Sequence, residues 1–248
     1  DRHRRTIVDG ARELTRAFDS GVDVAEIFFC PKLCTSPDSQ QILQRLPSLP
    51  AECYEVTPSV FGKLAFGERV EGVVAVINSP GASLAQLELP PQPLVAVVES
   101  IEKPGNLGAV IRSADGANVS AVIAAQHQTD LYNPNTIRAS LGAIFTMPVA
   151  AAPSEHVVDW LLERNVNIFA ARVGEGPLYT DVDFTGPAAI VLGAEATGLS
   201  TEWQNDRVTP IRLPMCGVGD SLNVSAAAAV LFYEALRQRS GLSSGDPS

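Results

Sequence analysis

Cysteine and histidine are both scarce in this sequence. Its four cysteines are too few and too scattered to frame a disulfide-rich secreted domain, which favours a reduced, cytoplasmic protein. Cys30 and Cys34 lie four residues apart, but no second cysteine pair or histidine cluster completes a zinc ligand set. The histidines, His3, His127 and His156, are far apart along the chain. We therefore predict no metal site.

A long hydrophobic run is also missing. The longest apolar run, residues 224–233, is about half of the ~20 residues that a transmembrane helix needs, so we expect no membrane span. No signal-peptide pattern is present, and because the first residue is Asp1 rather than Met, we expect that a preceding segment is missing.

Positive charge is in deficit, with 18 Lys and Arg against 28 Asp and Glu and a net charge of −10. Because Lys and Arg supply most of the affinity for phosphates, the whole surface is not expected to bind nucleic acid. The opening stretch DRHRRTIVDGARELTR is an exception, with five arginines in sixteen residues. A solvated helix face is the commoner explanation of such a run, and an RNA-facing patch is the alternative.

The composition is typical of a globular protein with one large domain or two small ones, since 46% of the 248 residues are apolar. We favour two domains. Residues 81–93 contain Pro90, Pro91 and Pro93, and prolines neither continue a helix nor donate to a sheet, so we place a linker there.

The first domain, residues 1–80, is predicted to be a small α/β domain. Its apolar runs, 25–30 and 73–77, alternate with helical stretches around 7–18 and 40–46. At the other end of the chain, residues 241–248 are predicted to be a disordered tail.

Strand and helix signals alternate more clearly in the second domain, residues 94–240. Five short runs rich in β-branched residues are typical of strands buried on both faces of a parallel sheet. These runs are 94–99, 121–125, 167–172, 188–193 and 208–214. Helical patterns lie between them at 107–116, 154–164 and 225–237. The alternation predicts an α/β fold with a mostly parallel sheet.

Ligands bind at the carboxyl ends of the strands in open α/β sheets, so the residues that follow each strand are candidates for a site. The first strand leads into KPGNLGAVIRSADG, in which Gly105 and Gly108 allow close backbone approach and Asn106 can cap the helix that carries Arg112. An ordinary turn between a strand and a helix is the alternative explanation.

Two further strand ends carry polar residues. In IVLGAEATGLS, Glu195 follows a buried strand and has no apparent cationic partner in the sequence. In CGVGDSLNVS, any one of Ser221, Asn223 and Ser225 can accept from the free N–H groups of the next helix. One cap is enough for a helix, so the other polar side chains indicate a ligand.

Several known fingerprints are absent. Leu222 stands where the dinucleotide motif G-x-G-x-x-G needs its third glycine, so a Rossmann nucleotide site is weakly supported. Neither the phosphate-loop motif nor the G-x-S-x-G nucleophile motif occurs, which argues against P-loop NTPases and α/β-hydrolases.

Taken together, PGNLGAVIRSADG, IVLGAEATGLS and IRLPMCGVGDSLNVSAAAAVLFYEALRQ resemble the three ordered motifs of the SpoU/TrmH group of SPOUT RNA methyltransferases. NPNTIRASLGAIFTMPV is similar to the segment between the first and second motifs, and the likeness covers residues 94 to about 239. Residues 1–80 are more loosely similar to the L30e-like substrate-binding domain of many members.

The resemblance implies a C-terminal trefoil knot, S-adenosylmethionine as cofactor, an obligate homodimer and an RNA substrate. The residues that it assigns to the cofactor are Leu192, Gly193, Ile211, Leu213, Met215, Leu222 and Asn223. Those assigned to the reaction are Asn106, Arg112, Glu195, Ser221 and Asn223. Those assigned to RNA binding are Arg112, Arg138 and Ser140. This chain departs from the family at Ala196, where a glycine is frequent, and at Ser113, where threonine is common.

The implied reaction is methyl transfer to a ribose 2′-hydroxyl, which requires the oxygen to lie in line and about 3–3.5 Å from the methyl carbon. A guanidinium is in effect always protonated, so Arg112 is a poor candidate for the base. We expect it instead to clamp a phosphate and stabilise the developing alkoxide, from the same or the partner subunit, while solvent or another group takes the proton. The helix 225–237 is apolar almost all round, which favours burial in a dimer, although burial within one subunit is the alternative.

Other functions stay open at this point. A non-catalytic RNA-binding, ribosome-associated module would keep the fold without binding S-adenosylmethionine, and a nucleotide-dependent oxidoreductase would bind NAD. Within the methyltransferases, ribosomal RNA is favoured over transfer RNA by analogy with the L30e-like domain. The resemblance also allows a role in resistance to an antibiotic that targets the ribosome.

Overall fold

A computed structural model describes residues 5–66, 70–127 and 130–240. Contacts divide the chain into two compact units. The first unit comprises the chain up to Gly81 together with the later segment Tyr132–Thr146. The second comprises Ala82–Leu131 and the chain from Met147 onward. The predicted disordered tail, 241–248, lies outside the described residues.

The first unit contains a four-stranded sheet. Its strands are β1 (Arg5–Asp9), β2 (Val24–Phe29), β3 (Glu52–Glu55) and β4 (Val73–Asn78). Their order is β1-β4-β2-β3, in which β4 is antiparallel to both neighbours and β3 is parallel to β2. Its helices are α1 (Ala11–Asp19), α2 (Pro37–Arg45), α3 (Pro58–Leu64) and, from the later segment, α5 (Pro134–Ala139).

The predicted helix 7–18 is wrong in its first turn, because residues Arg5–Asp9 form strand β1. Ile7 pairs with Val76 of β4, and Gly10 then takes a φ of 132°, a backbone conformation that glycine adopts far more readily than other residues. The helix therefore begins only at Ala11.

The segment Tyr132–Thr146 lies in the range predicted for the second domain, but its contacts place it in the first unit. The Thr6 hydroxyl donates to the backbone oxygen of Tyr132 at 2.7 Å, and the Arg16 guanidinium donates to that of Leu141 at 2.7 Å. These contacts join residues about 125 positions apart, which local sequence patterns do not reveal.

The second unit contains a six-stranded, entirely parallel sheet, as the alternation of strand and helix signals predicted. The strands are β5 (Leu94–Glu99), β6 (Ala121–Ala125), β7 (Val149–Ala152), β8 (Asn167–Ala171), β9 (Ala188–Leu192) and β10 (Val208–Ile211). Their order is β10-β8-β9-β5-β6-β7. Because all six strands run the same way, their carboxyl ends share one edge of the sheet.

Three longer helices complete this unit: α4 (Pro104–Gly116), α6 (Ser154–Glu163) and α7 (Val224–Ser240). Helices α4 and α7 pack against each other. One side of α7 is buried, but Ala226, Val230, Tyr233 and Arg237 form an exposed stripe at helical spacing. Within the described chain the helix is therefore not buried all round.

None of the helices in the described ranges is long and apolar enough to span a membrane.

Candidate functional site

A cleft with a volume of about 510 Å³ opens in the second unit at the carboxyl ends of β8, β9 and β10. Five of the seven residues predicted to hold a cofactor line it: Leu192, Gly193, Leu213, Met215 and Leu222. Two residues predicted for the reaction, Glu195 and Ser221, also line it. The two predicted reaction residues lie in the loops after β9 and β10.

The carboxylate of Glu195 joins the loops that follow three strands. Its Oε1 accepts from Asn106 Nδ2 at 3.1 Å and from Asn223 Nδ2 at 2.5 Å. Its Oε2 lies 3.6 Å from Lys103 Nζ, a cation that the sequence pattern did not indicate. The three polar residues predicted from separate motifs therefore meet at one carboxylate.

Asn106 does not cap helix α4, contrary to the prediction. The helix begins at Pro104 and its N-cap residue, Lys103, makes no side-chain cap hydrogen bond. Pro104 has no N–H to be satisfied, which reduces the need for a cap. The Asn106 amide group is therefore directed at Glu195 instead.

Asn223 combines the two roles that the sequence divided among three residues. Its Oδ1 accepts from the backbone N of Ser225 at 3.0 Å and from the Ser225 hydroxyl at 2.6 Å, which caps α7. Its Nδ2 donates to Glu195. Ser221 remains exposed in the cleft wall, with its hydroxyl 3.5 Å from Asp220 Oδ1.

The loop that carries Glu195, residues 193–200, is closely folded. Gly198 donates its backbone N–H to Ala194 O at 2.9 Å, and these two residues form an isolated antiparallel bridge. A Cβ placed on Gly193 would lie only 2.4 Å from the carbonyl carbon of Gly198. Glycine is therefore required at position 193 for this loop to close.

Some residues that line the cleft were not predicted. Val173 and Glu175 follow β8, as does Arg172, whose guanidinium donates to Trp203 O at 3.3 Å. The rule that sites form at strand ends could have indicated them, since β8 was correctly placed. No known motif marks this strand end, so sequence patterns did not indicate these residues.

Other predicted residues do not line this cleft. Ile211 is fully buried in β10 and does not line it, and Arg112 is exposed on α4. Ser140, expected to contact RNA, is fully buried, and its hydroxyl donates to Ile137 O at 2.9 Å. It offers no exposed atom to RNA in this structure.

Arg138, also expected to contact RNA, forms an ion pair with Asp9 at 2.9 Å in the first unit. Burial raises the pKa of the Asp9 carboxyl, and the backbone N–H of Phe66 and the Arg138 guanidinium offset part of that rise. Arg138 is thus engaged in compensating a buried carboxylate.

Within the part of the chain that the structure describes, no group of three or more His, Cys, Asp or Glu side chains is arranged to hold a metal ion.

The fold and the site together define a class of protein, an open α/β domain with a ligand site at its strand ends. The SpoU rRNA methylase family matches residues 93–233, more than half of the chain, and the MRM3-like substrate binding domain matches residues 1–75. The chain belongs to the SpoU rRNA methylase family, which confirms the resemblance seen in the sequence.

Related sequences cover most of the chain. A 23S rRNA (uridine(2479)-2'-O)-methyltransferase of Streptomyces viridochromogenes is 30% identical over 254 residues, which cover 96% of this chain and 86% of that protein. The 23S rRNA (guanosine-2'-O-)-methyltransferase RlmB of Pectobacterium atrosepticum is 35% identical over 69% of this chain and 72% of its own length.

Solved structures are similar over nearly the whole chain. A crystal structure of an RNA 2'-O ribose methyltransferase has a TM-score of 0.83 and 37% identity, and the match covers 96% of this chain and 90% of that one. The SpoU methyltransferase AviRb from Streptomyces viridochromogenes, in complex with the cofactor AdoMet, has a TM-score of 0.86 and 28% identity, covering 96% and 91%.

Proposed function

We propose that this chain transfers a methyl group from S-adenosylmethionine to a ribose 2′-hydroxyl of RNA, with ribosomal RNA as the favoured substrate. The observation that carries the proposal is the meeting of Asn106 and Asn223 at the Glu195 carboxylate, beside an apolar cleft at the strand ends. The family and the activities named for its relatives support it.

The cleft fits S-adenosylmethionine in size and chemistry. Its volume of about 510 Å³ lies within the range of about 300–1,000 Å³ that is usual for small-molecule sites. Leu192, Leu213 and Leu222 supply apolar surface for an adenine ring. The acidic residues Glu195 and Asp220 suit a cationic sulfonium and ammonium group. When bound, this cofactor supplies an electrophilic methyl group.

The residues of the chain would then orient and stabilise the ribose. Glu195, fixed by the two asparagine amides, holds the loops after β5, β9 and β10 at a constant spacing. Ser221 presents a hydroxyl at the cleft wall. Arg112 would neutralise a phosphate and the charge that develops on the 2′-oxygen.

We also propose that the active form is a homodimer. Arg112 is exposed on α4 and is not among the residues that line the cleft of its own chain. Ala226, Val230 and Tyr233 in the exposed stripe of α7 offer an apolar surface, next to the charged Arg237, that a second subunit could cover. Arg112 of the partner subunit would then complete the site.

The remaining expectations from the sequence belong to the same proposal. They are the C-terminal trefoil knot, the L30e-like character of the N-terminal domain, a cytoplasmic location and a role for Arg138 in RNA binding. Resistance to a ribosome-targeting antibiotic stays a prediction, which a susceptibility test of cells with and without the protein would check.

The direct test of the function is to map 2′-O-methylated nucleotides in RNA from cells with and without the protein. We expect one or a few positions in ribosomal RNA to lose methylation when the protein is absent, and the purified protein to restore them with S-adenosylmethionine. Methylation confined to transfer RNA would show that transfer RNA, and not ribosomal RNA, is the substrate. Failure to bind S-adenosylmethionine would favour the non-catalytic RNA-binding module.

Replacing Gly193 with alanine should weaken cofactor binding about tenfold or more, since displacing a loop that lines the cleft by even about 1 Å misplaces its contacts. The added Cβ would lie 2.4 Å from the carbonyl carbon of Gly198, so the loop must open. Calorimetric titration with S-adenosylmethionine measures the change. Gly217→Ala is the matched control, because its Cβ would meet no atom within 4 Å. Equal affinities for the two variants would show that the loop does not contact the cofactor.

A further inference from the structure

Glu99, the last residue of β5, is a buried carboxylate that the proposed reaction does not use. It is only 1% exposed, and in the described part of the chain the groups that act on its charge are neutral hydrogen-bond donors. A buried charge is costly unless hydrogen bonds compensate it. The side chain is therefore expected to have a specific structural task.

Four donors from three residues, which lie in two separate segments, converge on this carboxylate. The backbone N–H of Ser200 donates to Oε2 at 2.7 Å. The Ser200 hydroxyl donates to Oε1 at 2.8 Å, and the Trp203 indole N–H donates to the same oxygen at 2.9 Å. The Ser154 hydroxyl, at the start of α6, makes a short hydrogen bond to Oε1. All of these donors are neutral.

These hydrogen bonds keep Glu99 ionised. Burial by itself raises the pKa of the carboxyl, but the bonds from Ser154, Ser200 and Trp203 outweigh burial, so that the pKa lies below its usual value. A carboxylate can accept from several donors at once, whereas a carboxamide has one acceptor oxygen and an NH₂ group that only donates. The charged form is thus the form that fits this set of donors.

The position of Glu99 relates it to the Glu195 network. The segment that begins directly after Glu99 leads to Asn106, and Ser200 ends the loop 193–200 that carries Glu195. The two segments are therefore joined twice, at the buried end by Glu99 and Ser200 and at the cleft by Asn106 and Glu195. Between the two joints, the bridge between Ala194 and Gly198 keeps the loop folded.

We propose that Glu99 is a positioning residue, which tethers the Glu195 loop through Ser200 and thereby holds Glu195 at the edge of the cleft. Glu99 acts through the loop and touches neither cofactor nor RNA. The activity readout of this inference rests on the proposed function. The tether itself does not, because it can be observed in the protein without cofactor or RNA.

The test compares Glu99→Gln with two serine variants that each remove one hydroxyl donor from the same carboxylate oxygen. Ser200→Ala removes a hydrogen bond between the Glu99 carboxylate and the loop 193–200. Ser154→Ala removes one between the same carboxylate and helix α6. We expect Glu99→Gln and Ser200→Ala to speed amide hydrogen exchange at residues 194–200. Ser154→Ala should leave that exchange within about twofold of the wild type, since local opening reports local contacts.

In the active enzyme, we expect Glu99→Gln to lower kcat about tenfold or more, and Ser200→Ala to lower it more than Ser154→Ala does. Thermal unfolding of each variant separates this effect from general destabilisation. The inference is overturned if exchange at 194–200 is unchanged in Glu99→Gln, or if the two serine variants lose activity in proportion to their loss of stability. Should Glu99→Gln fail to fold, the serine pair alone decides.

A protein that exchanges faster at 194–200 in Glu99→Gln but methylates no RNA in its wild-type form would support the tether and overturn the proposed function. A lower kcat in Glu99→Gln without any change in amide exchange at 194–200 would support the proposed function and overturn the tether. The two hypotheses therefore fail in distinguishable ways.

Discussion

Glu195→Ala is expected to lower kcat by about 10² to 10⁴, because it removes two hydrogen bonds to a charged acceptor at about 1.5–3 kcal/mol each. Asn106 and Asn223 would lose their shared partner, and the loops after β5, β9 and β10 would lose their common spacing. Single-turnover methylation of an RNA fragment, with saturating cofactor, measures the loss without interference from product release.

Glu195→Gln distinguishes a positioning role from a role as general base. The carboxamide keeps one acceptor oxygen for the two asparagines, so we expect activity within about tenfold of the wild type. Lys103→Ala should change the rate only slightly, since the Lys103 side chain is 75% exposed and such ion pairs contribute about 0–1 kcal/mol. If Glu195→Gln were as inactive as Glu195→Ala, proton acceptance or charge at Glu195 would be essential, and the positioning role would be wrong.

The parallel sheet was predictable because each of its central strands is buried on both faces. The runs 94–99 and 121–125 match β5 and β6 in full, and the other three runs extend only one to three residues beyond β8, β9 and β10. Strand β7 was missed, since Val149–Ala152 is short and three of its four residues are alanine, which favours helices over strands. Apolar runs thus reveal the parallel core and the edge strand β10, but not the alanine-rich edge strand β7.

Part of the site was also predictable from the parallel arrangement of the strands. Since parallel strands end at one edge, the residues after β5 and β9 were bound to lie near each other, and Asn106 indeed meets Glu195. The role of Asn106 was not predictable, because capping and a contact 89 residues away are equally compatible with an asparagine at a helix start. The role of Glu99 was not predictable from local sequence patterns, since its hydrogen-bond partners lie 55 to 104 residues away.

Arg112→Ala is expected to lower kcat by about 10² to 10³, the usual cost of removing a donor that stabilises an oxyanion. Arg112→Lys should recover little of this loss, because an ammonium keeps the charge but does not reproduce the paired N–H groups of a guanidinium. Near-normal activity of Arg112→Lys would contradict the bidentate clamp. The same single-turnover measurement applies, with thermal unfolding as the control for stability, which should hardly change at an exposed position.

Mixed dimers show from which subunit Arg112 acts. Arg112→Ala and Glu195→Ala chains, each inactive alone, would be unfolded together and refolded. If Arg112 completes the site of the partner subunit, activity returns to about a quarter of the wild-type value, since half of the dimers are mixed and each mixed dimer has one intact site. If Arg112 serves its own chain, every site keeps one defect and the mixture stays inactive. A chain that remains monomeric in light scattering yet methylates RNA at full rate would overturn the dimer outright.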